Sequence, residues 1–351
     1  MPQPLASATD ASPTASNQTL LVAMSGEERQ LFLGDSLGDL ETQVTCHQLS
    51  DETLISGDWP ALLAKVNPTI ILAAWRTPPI PLSHIRNEKC ALQYVAYAAG
   101  SIRHLVPREF LEKGGRVTNW GNIVAWSVAE HAVLLALAAL RNLGQWKQAI
   151  FNSPSIPRPA FYLQTMVLRG KRVGIHGYGT IARCILDILR PFDVEVTAYS
   201  AGVPRALMCR DGVTPCQSLE ELFRTSEVLF ECEALRLDTE GSVTAEVLAC
   251  LPDHAVFVNV GRGHVVEEEA LVREAQSGRI RVALDVARQE PLHAGAPLMH
   301  VDHLIASPHI GGPAADQYRT CGNFVLENVR KYMDGVPLDG VVTLDIYDRA
   351  T

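Results

Sequence analysis

The sequence predicts an α/β protein built from two doubly wound parallel sheets. The chain has 351 residues, a length that favours two domains over one. Short apolar runs alternate with amphipathic stretches of helical length, and strands separated by helices form parallel sheets that helices cover. In the second half, a Gly-rich turn joins an apolar run to a helix-like stretch, as in a βαβ unit.

The first half contains apolar runs that predict strands: TLLVAM from Thr19, ETQVTCHQL, PTIILAAW, LQYVAYAAG and RVTNW. Helical segments such as WPALLAKV and VPREFLEKG lie between them. One long helix is predicted over IVAWSVAEHAVLLALAALRNLGQWKQAI, and the Pro-rich stretch FNSPSIPRPAF ends it. Residues 1–18, MPQPLASATDASPTASNQ, are rich in Pro, Ala, Ser and Thr and predict a disordered tail.

The second half repeats the alternation. The segment RGKRVGIHGYGTIARCILDILRPFDVEVTAYS predicts a strand, a Gly-rich turn, a helix and a second strand. Further runs in SEVLFECEAL, AVFVNVG, RIRVALDV and HLIASPH extend this sheet. The last long helix, AADQYRTCGNFVLENVRKYMDG, is predicted to end at Gly335, because a glycine cap followed by Pro337 is typical of a helix C-terminus.

Composition argues against several functional classes. A net charge of −9 and a pI near 5.7 give no basic footprint for nucleic acid or anionic lipid. The eight cysteines show no C-x-x-C pair and no zinc spacing, so we expect reduced thiols and no metal. No secretory signal is recognisable, and no apolar run approaches the roughly 20 residues that span a bilayer. These features predict a cytoplasmic enzyme that acts on a small molecule.

The turn GIHGYGTIA carries the pattern G-x-G-x-x-A on Gly177, Gly179 and Ala182. Gly177 permits a tight turn, Gly179 lets the backbone approach a pyrophosphate, and Ala182 allows the helix to pack closely on the strand. The helix N-terminus offers N–H groups to the anion. Because a strand precedes the turn and a helix follows it, we predict dinucleotide binding rather than a purely structural connector.

The choice between the two nicotinamide cofactors stays open. Proteins that bind NAD carry an acidic residue about 20 residues after the glycines, where it holds the ribose 2′-OH. Ser200 stands at that place and cannot repel a 2′-phosphate as a carboxylate would. Arg205, further along, is equally well explained as a 2′-phosphate contact or as a solvated surface charge.

Polar side chains follow each of the last three apolar strands. AVFVNVGRG delivers Arg262, VALDVARQEP delivers Asp285 and Glu290, and HLIASPHIGG delivers His309. In open α/β sheets, ligands bind beyond the carboxyl ends of the strands. We therefore expect these side chains to converge on the crevice that holds the cofactor.

This set is sufficient for hydride transfer to a 2-oxo acid. Arg262 can hold the substrate carboxylate or carbonyl oxygen and stabilise charge that develops there. His309, as imidazolium, can donate a proton to the carbonyl oxygen and accept it back in the oxidative direction. Glu290 can orient the ring and stabilise its charged form. Singly, each residue is also explained by a surface charge, a turn or a structural histidine; their joint placement favours catalysis.

The second half resembles the D-isomer-specific 2-hydroxyacid dehydrogenases in GKRVGIHGYGTIA, VNVGRGHVVEEEAL, ALDVARQEPLH, SPHIGG and ENVRKYMDGVPL. The stretch SVAEHAVLLALAALRNL is similar to the helix that opens the family's cofactor domain and supports its dimer. The resemblance covers about residues 90–338. It implies a homodimer of two-domain subunits. A Rossmann dinucleotide-binding domain, 124–316, is inserted into a flavodoxin-like substrate (catalytic) domain, 19–123 and 317–351, with a hinge and a closing cleft.

The resemblance also implies roles for single residues. The family's catalytic residues correspond to Arg262, Glu290 and His309, and its nicotinamide-contacting Asp to Asp285. The expected cofactor contacts are Gly177, Tyr178, Gly179, Thr180, Ile181, Ser200, Cys232, Val260, Gly261, Asp285 and Gly311. The expected substrate contacts are Trp75, Arg76, Gly100, Ser101, Ile102 and Arg103. Glu290 argues against formate as substrate, because the related formate dehydrogenases carry Gln there.

Departures from the family pattern keep alternatives open. AAGSIRHLV retains Gly100 but has Ile102 at a later position, Thr180 stands where Arg is often found, and Cys232-Glu233-Ala234 replaces the usual His-x-Pro. We predict an NAD(P)-dependent oxidoreductase that interconverts a D-2-hydroxy acid and its 2-oxo acid. The alternatives are a dinucleotide-binding regulatory protein with little catalysis and a dehydrogenase of another small anion, such as phosphite.

Overall fold

The computed structural model describes residues 18–151, 163–301 and 303–349. The predicted tail, apart from Gln18, and most of the Pro-rich stretch lie outside these residues. The chain divides into two compact units at 121/122 and 314/315, so that the first unit contains the described residues up to Gly121 and from Ala315 onward. The boundaries predicted from the sequence, after residues 123 and 316, lie two residues further along.

The first unit is a parallel sheet of five strands in the order β2-β1-β3-β4-β5. Its strands are β1 (Thr19–Ala23), β2 (Thr45–Gln48), β3 (Ile70–Ala73), β4 (Tyr94–Tyr97) and β5 (Arg116–Thr118). Every residue of β3 and β4 is buried, because helices cover both faces of a doubly wound sheet. The order 2-1-3-4-5 is the flavodoxin-like arrangement that the sequence predicts.

The helices of the first unit begin and end at local signals. Ser25 and Glu28 form a capping box, Asp58 caps the helix that starts at Trp59, and Gly335 takes a φ of 68° after the last long helix. The α-helices are Gly26–Glu28, Gly38–Glu41, Asp51–Ser56, Trp59–Val66, Leu82–Ile85, Arg108–Glu112, Tyr318–Met333 and Leu344–Arg349, with a π-helical turn at Arg29–Leu33.

The second unit is a parallel sheet of seven strands in the order β12-β11-β10-β9-β6-β7-β8. Its strands are β6 (Arg172–His176), β7 (Glu195–Tyr199), β8 (Thr214–Pro215), β9 (Val228–Glu231), β10 (Val256–Asn259), β11 (Arg281–Leu284) and β12 (Ile305–Ala306). From β6 the chain adds β7 and β8 on one side of the sheet and then returns to add β9 to β12 on the other side, with all strands parallel. This is the Rossmann arrangement, with its topological switch point between β6 and β9.

Helices cover both faces of this second sheet and bury two apolar clusters. The α-helices are Ala125–Leu140, Trp146–Phe151, Thr180–Leu189, Arg205–Arg210, Leu219–Thr225, Ala245–Ala249 and Glu268–Gln276. Shorter 3-10 turns occupy Leu143–Gln145, Arg190–Phe192, Gly263–Val265 and Pro297–His300.

The prediction of one continuous helix before the Pro-rich stretch is wrong. The Ala125–Leu140 helix stops, and Asn142 takes a left-handed conformation with φ 54°. Asparagine adopts this conformation more readily than most residues, and its side-chain amide donates to the Leu163 carbonyl at 3.3 Å. The Trp146 indole N–H donates to the Arg141 carbonyl at 2.8 Å, so the break keeps its polar groups paired.

No helix in the described ranges is long and apolar enough to cross a membrane. Across the same ranges, no group of three or more His, Cys, Asp or Glu side chains is arranged to hold a metal ion. All eight cysteines are free thiols.

Packing in the first unit predicts that alanine substitutions at two glycines differ strongly in their effect on stability. A Cβ on Gly322, in the Tyr318–Met333 helix, would overlap the Phe32 backbone, whereas a Cβ on Gly38 would meet no atom within 4 Å. Alanine favours a helix by about 1 kcal/mol over glycine, but overpacking costs roughly 1–3 kcal/mol or more. We expect Gly322→Ala to lower the melting temperature by several degrees and Gly38→Ala to leave it unchanged or raised. Equal melting temperatures in calorimetry would contradict the packing.

Candidate active site

The Gly-rich turn of the second unit has the geometry of a pyrophosphate site. Gly177 directly follows β6 with φ 86°, and a Cβ there would lie 2.5 Å from the Glu233 backbone nitrogen. A Cβ on Gly179 would meet no atom within 4 Å, so the space in front of it is open. Gly179 is also the N-cap of the Thr180–Leu189 helix and has no side chain to occupy the terminal N–H groups. The turn therefore fits the phosphates of a dinucleotide.

Tyr178 contributes to this turn through its backbone. Its side chain is buried among the core residues, and its hydroxyl donates to Asp211 at 3.1 Å. Burial and the Asp211 carboxylate raise the pKa of Tyr178 to about 12. Ala182 is fully buried, and Ile181 is partly buried against the same core. The helix is thus packed tightly on the sheet directly behind the turn.

The ends of β7 and β9 meet beside this turn. The Ser200 hydroxyl donates to the Glu233 carboxylate at 2.8 Å, and the Cys232 backbone N–H donates to the His176 carbonyl at 2.8 Å. Burial and the neighbouring carboxylates of Glu231 and Glu233 raise the pKa of the Cys232 thiol. This thiol is therefore protonated at neutral pH.

Arg205 contacts the end of β8, the strand that pairs with β7. Its guanidinium donates to the Gln217 side-chain oxygen at 2.6 Å and to the Pro215 carbonyl at 3.0 Å. Because Pro215 pairs with Ala198, two residues before Ser200, these contacts are compatible with both explanations that the sequence leaves open.

Arg262 follows β10 in a turn that is held by hydrogen bonds. The Gly261 N–H donates to the Asn259 side-chain oxygen at 3.0 Å, and Val260 is buried. The Arg262 guanidinium donates to the Gly261 carbonyl at 2.8 Å. Burial lowers the pKa of the Arg262 guanidinium, and the nearby Glu290 carboxylate opposes that shift. Because an arginine stays protonated even so, the turn presents a partly desolvated cation.

His309 and Glu290 form a close pair at the same edge of the sheet. The His309 Nδ1 lies 2.6 Å from Glu290 Oε2, and Glu290 Oε1 accepts from the Ala287 N–H at 2.9 Å. One carboxylate oxygen thus anchors the side chain while the other holds the ring. The His309 side chain is 47% exposed. A ring held at Nδ1 presents its Nε2 for proton exchange with a substrate.

Asp285 holds the loop that carries His309. Its Oδ1 accepts from the Ser307 hydroxyl at 2.7 Å and from the Ile310 N–H at 2.9 Å, and its Oδ2 accepts from the Gly311 N–H at 2.8 Å. The ring of His131 lies 3.3 Å away. Burial disfavours the charged form of this carboxyl, but these hydrogen bonds outweigh it and lower the pKa of Asp285 to about 2. The buried Asp285 carboxylate thus holds the loop in place by hydrogen bonds, in addition to the nicotinamide contact that the resemblance implies.

Gly311 is required at its position by this arrangement. A Cβ there would lie 2.7 Å from Asp285 Oδ2 and 3.2 Å from the His131 ring. His309 itself has φ 55°, and its N–H donates to the Asp285 carbonyl at 3.0 Å. The backbone of Asp285 therefore holds a residue in a left-handed conformation that few side chains adopt.

In the first unit, Trp75 lies in an aromatic cluster beyond the carboxyl end of β3. Its ring centroid is 5.0 Å from Phe32, 5.8 Å from Tyr318 and 6.4 Å from Trp120. A Cβ on Gly100 would come within 3.0 Å of the Trp120 indole nitrogen. Trp75 is nevertheless 45% exposed, so the cluster presents an aromatic surface next to the segment at Gly100.

The other expected substrate contacts are placed less uniformly. Ser101 is partly buried, and Ile102 is fully buried in the core. The Arg103 guanidinium lies 6.0 Å from the centre of the Tyr347 ring. Arg76 is an exposed residue whose guanidinium lies 3.3 Å from Glu27. The two arginines thus have structural partners within their own unit.

Comparison with known proteins identifies the family. The family described as "D-isomer specific 2-hydroxyacid dehydrogenase, NAD binding domain" matches residues 133–311. The chain belongs to this family. It is accordingly an NAD(P)-dependent dehydrogenase that transfers hydride between NAD(P)H and a 2-oxo acid to give a D-2-hydroxy acid.

Individual relatives agree with this assignment. The human glyoxylate reductase/hydroxypyruvate reductase is 28% identical over 72% of this chain and 77% of its own length. The D-3-phosphoglycerate dehydrogenase of Methanocaldococcus jannaschii is also 28% identical over 72% of this chain, but the match spans only 48% of that longer protein. The fold is similar to a solved NADPH-dependent glyoxylate/hydroxypyruvate reductase from Sinorhizobium meliloti, with a TM-score of 0.76 and 23% identity, covering 95% of this chain and 100% of that one.

Some residues that build the candidate site do not stand out in the sequence. Ser307 and His131 both bond the Asp285 region, with 2.8 Å between the His131 Nε2 and the Ser307 hydroxyl. The sequence feature that could have indicated Ser307 is its position two residues before His309. For His131, the feature is a polar side chain within an otherwise apolar helix. Glu231 and Glu233 are similarly inconspicuous, although Glu233 lies in the segment that departs from the family pattern.

The depressed pKa of Asp285 predicts a pH-dependent contribution to stability. A carboxyl whose pKa falls from 3.8 to about 2 on folding contributes about 2 kcal/mol at neutral pH. That contribution is complete above the unfolded pKa and is lost as pH falls through the folded one. We expect Asp285→Asn to lower the free energy of unfolding at pH 7 and at pH 5, with a smaller loss at pH 3. The measurement is urea unfolding followed by circular dichroism.

The control is Asp253→Asn, at a side chain that is 77% exposed. This variant should match the unsubstituted protein at every pH. A loss from Asp285→Asn that is the same at pH 7 and pH 3 would contradict an ionised Asp285 in the fold.

Proposed function

We propose that Arg262, Glu290 and His309 are the catalytic residues of this dehydrogenase. The observation that carries the proposal is the 2.6 Å contact between His309 Nδ1 and Glu290 Oε2. The same carboxylate acts electrostatically on the Arg262 guanidinium. A histidine oriented by a carboxylate and accompanied by a cation is the arrangement that carbonyl reduction requires.

In this proposal each of the three residues has its own role in the reaction. The nicotinamide supplies the hydride when bound. Arg262 holds the substrate through its N–H donors and stabilises the negative charge that grows on the carbonyl oxygen. His309 donates the proton from Nε2 to that oxygen, and in the oxidative direction it takes the proton from the hydroxyl. Glu290 stabilises the imidazolium and keeps the ring oriented through Nδ1.

We also propose the backbone of the Gly-rich turn as the pyrophosphate site. The open space at Gly179 and the N–H groups of Thr180 and Ile181 support it. The remaining contacts expected from the resemblance follow the ends of neighbouring strands: Ser200 after β7, Cys232 after β9, Val260 and Gly261 after β10, and Gly311 after β12. All of them belong to the second unit.

For the substrate, we propose contacts at Trp75 and at the segment Gly100–Arg103 of the first unit. The exposed aromatic surface of Trp75 favours an apolar group on the substrate side chain. Related enzymes named for glyoxylate, hydroxypyruvate and hydroxyphenylpyruvate span small and aromatic 2-oxo acids. The exposed surface of Trp75 favours, within this range, the 2-oxo acids that carry an apolar or aromatic side chain.

The test is oxidation of NADH and NADPH, followed at the absorbance band of the reduced nicotinamide, against glyoxylate, hydroxypyruvate, pyruvate and hydroxyphenylpyruvate. Saturable oxidation of the cofactor with at least one acid supports the dehydrogenase, and a higher kcat/KM with pyruvate or hydroxyphenylpyruvate than with glyoxylate or hydroxypyruvate supports the proposed substrate class. Tight cofactor binding without reduction of any acid would contradict it and would favour a dinucleotide-binding regulatory role. Reduction of NAD+ or NADP+ by an inorganic anion such as phosphite, with no acid reduced by NADH or NADPH, would favour the other alternative.

Substitution of His309 should separate chemistry from binding. We expect His309→Ala to lower kcat by about 10²–10⁴-fold, because general acid catalysis contributes that much. The dissociation constant for the reduced cofactor should change less than threefold, as measured by fluorescence titration. Arg262→Ala should instead reduce kcat/KM most, because the guanidinium contacts substrate in both ground and transition states.

A matched control for the histidine is His47→Ala, at an exposed position on β2 of the first unit. Its kinetic constants should equal those of the unsubstituted enzyme. If His309→Ala retains near-normal kcat, the proposed acid and base role of His309 is wrong.

We propose further that the dehydrogenase is a cytoplasmic homodimer. The free state of all eight cysteines supports a reducing compartment. An apolar surface supports the dimer, because large exposed patches mark interfaces. This surface lies along residues 126–151 and consists of Trp126, Leu134, Leu143, Trp146, Ile150 and Phe151, all at least 41% exposed.

A charge within that surface should weaken self-association. We expect Leu134→Glu to shift the mass measured by light scattering from twice the chain mass of 38.3 kDa toward that of a single chain. Leu237→Glu is the control, because Leu237 is 98% exposed and lies outside the apolar surface. A monomeric unsubstituted protein, or a dimer that survives Leu134→Glu, would contradict this interface.

A further inference from the structure

The Glu233 carboxylate lies beside Ser200, at a place where the local sequence has no acidic residue. Ser200 follows β7, at the place where NAD-binding proteins carry the acid that holds the ribose 2′-OH. In the fold, the Ser200 hydroxyl donates to Glu233 Oε2 at 2.8 Å. Glu233 comes from the segment after β9, on the other side of β6 in the sheet. The missing negative charge is thus supplied from a different strand.

The position of Glu233 is fixed by its neighbours. Its N–H donates to Glu231 Oε1 at 2.8 Å, and Glu231 Oε2 lies 2.6 Å from His176 Nδ1. Its backbone nitrogen also lies against the turn at Gly177, where even a Cβ would come within 2.5 Å. The side chain crosses from the end of β9 to the end of β7, passing the Gly-rich turn. It is only 5% exposed, so its charge acts in a region of low dielectric.

The charges around Glu233 leave an excess of negative charge. Arg236 lies 3.4 Å from Glu233 Oε1, but the same guanidinium is shared with Asp238 at 2.9 Å. Two carboxylates therefore face one cation. The neighbouring carboxylate of Glu231 lies 2.6 Å from His176 Nδ1, and although burial opposes a charged ring, that carboxylate raises the pKa of His176.

We propose that Glu233, acting through and beside Ser200, selects NAD(H) over NADP(H). Glu233 Oε2 has acceptor capacity beyond the bond from Ser200. The Ser200 hydroxyl and this oxygen together match the hydroxyl groups of an adenosine ribose. A 2′-phosphate at the same place would bring about two further negative charges against a buried carboxylate. This inference rests on the proposed dinucleotide site and adds the preference that the sequence leaves open.

The experiment measures dissociation constants of the full-length protein for NADH and NADPH by fluorescence titration, without substrate. We expect NADH to bind at least about tenfold more tightly, as like charges placed together cost this much or more. Glu233→Gln, which keeps the size of the side chain and removes its charge, should bring the two constants within about threefold. Competition by ADP-ribose and by its 2′-phosphorylated form should show the same change, which places the effect at the ribose.

The control is Glu240→Gln, at an exposed carboxylate in the same unit, which should retain the tenfold preference. If Glu233→Gln weakens both cofactors equally, Glu233 has only a structural role and the inference is wrong. An unsubstituted protein that binds NADPH as tightly as NADH would also overturn it, and this readout does not depend on any variant folding. Failure to bind either cofactor would instead contradict the proposed function itself.

Discussion

The ionised carboxylate of Asp285 is the interaction on which the candidate active site depends. The loop that carries His309 follows a strand of only two residues, so the sheet gives it little support. His309 adopts a left-handed backbone, which costs roughly 1–3 kcal/mol. The Asp285 side chain accepts from Ile310 and Gly311 on the far side of that residue, and hydrogen bonds to a charged group contribute about 1.5–3 kcal/mol each. These bonds are strong enough to offset the strain.

Parallel topology explains why such polar residues meet. The central strands of both sheets are buried on both faces, so their sequences are almost wholly apolar. Polar side chains can appear only where the strands end, and in a parallel sheet all carboxyl ends lie at one edge. Strands β10, β11 and β12 are adjacent. Arg262, Glu290 and His309 therefore reach the same edge although the chain separates them widely.

The sequence predicted well what depends on local pattern, and less well what depends on contacts between distant segments. Alternating apolar runs predicted both sheets, and glycine spacing located the turn at Gly177. The break at Asn142 was missed because the helical pattern continues through it. The Asn142 side-chain amide donates to the Leu163 carbonyl, which lies in a later segment. The contact of Ser200 with Glu233 could not be predicted either, since it depends on β7 and β9 flanking β6. Ser200 stands where NAD-binding proteins carry an acid, whereas the proposed acid, Glu233, follows a different strand and accepts a hydrogen bond from Ser200.

The two halves of the second sheet carry different parts of the proposed sites. The Gly-rich turn, Ser200 and Glu233 lie around β6, β7 and β9, whereas the proposed catalytic residues follow β10, β11 and β12. A protein that only bound a dinucleotide would need the cofactor contacts expected in both halves, but it would not need the pair of His309 with Glu290. Here this pair is built at an energetic cost: His309 has a strained, left-handed backbone, and its loop requires a glycine at 311, where a Cβ would lie 2.7 Å from Asp285 Oδ2. Such a costly arrangement is expected where selection acts on proton transfer, so the physical structure of the second group favours catalysis over binding alone.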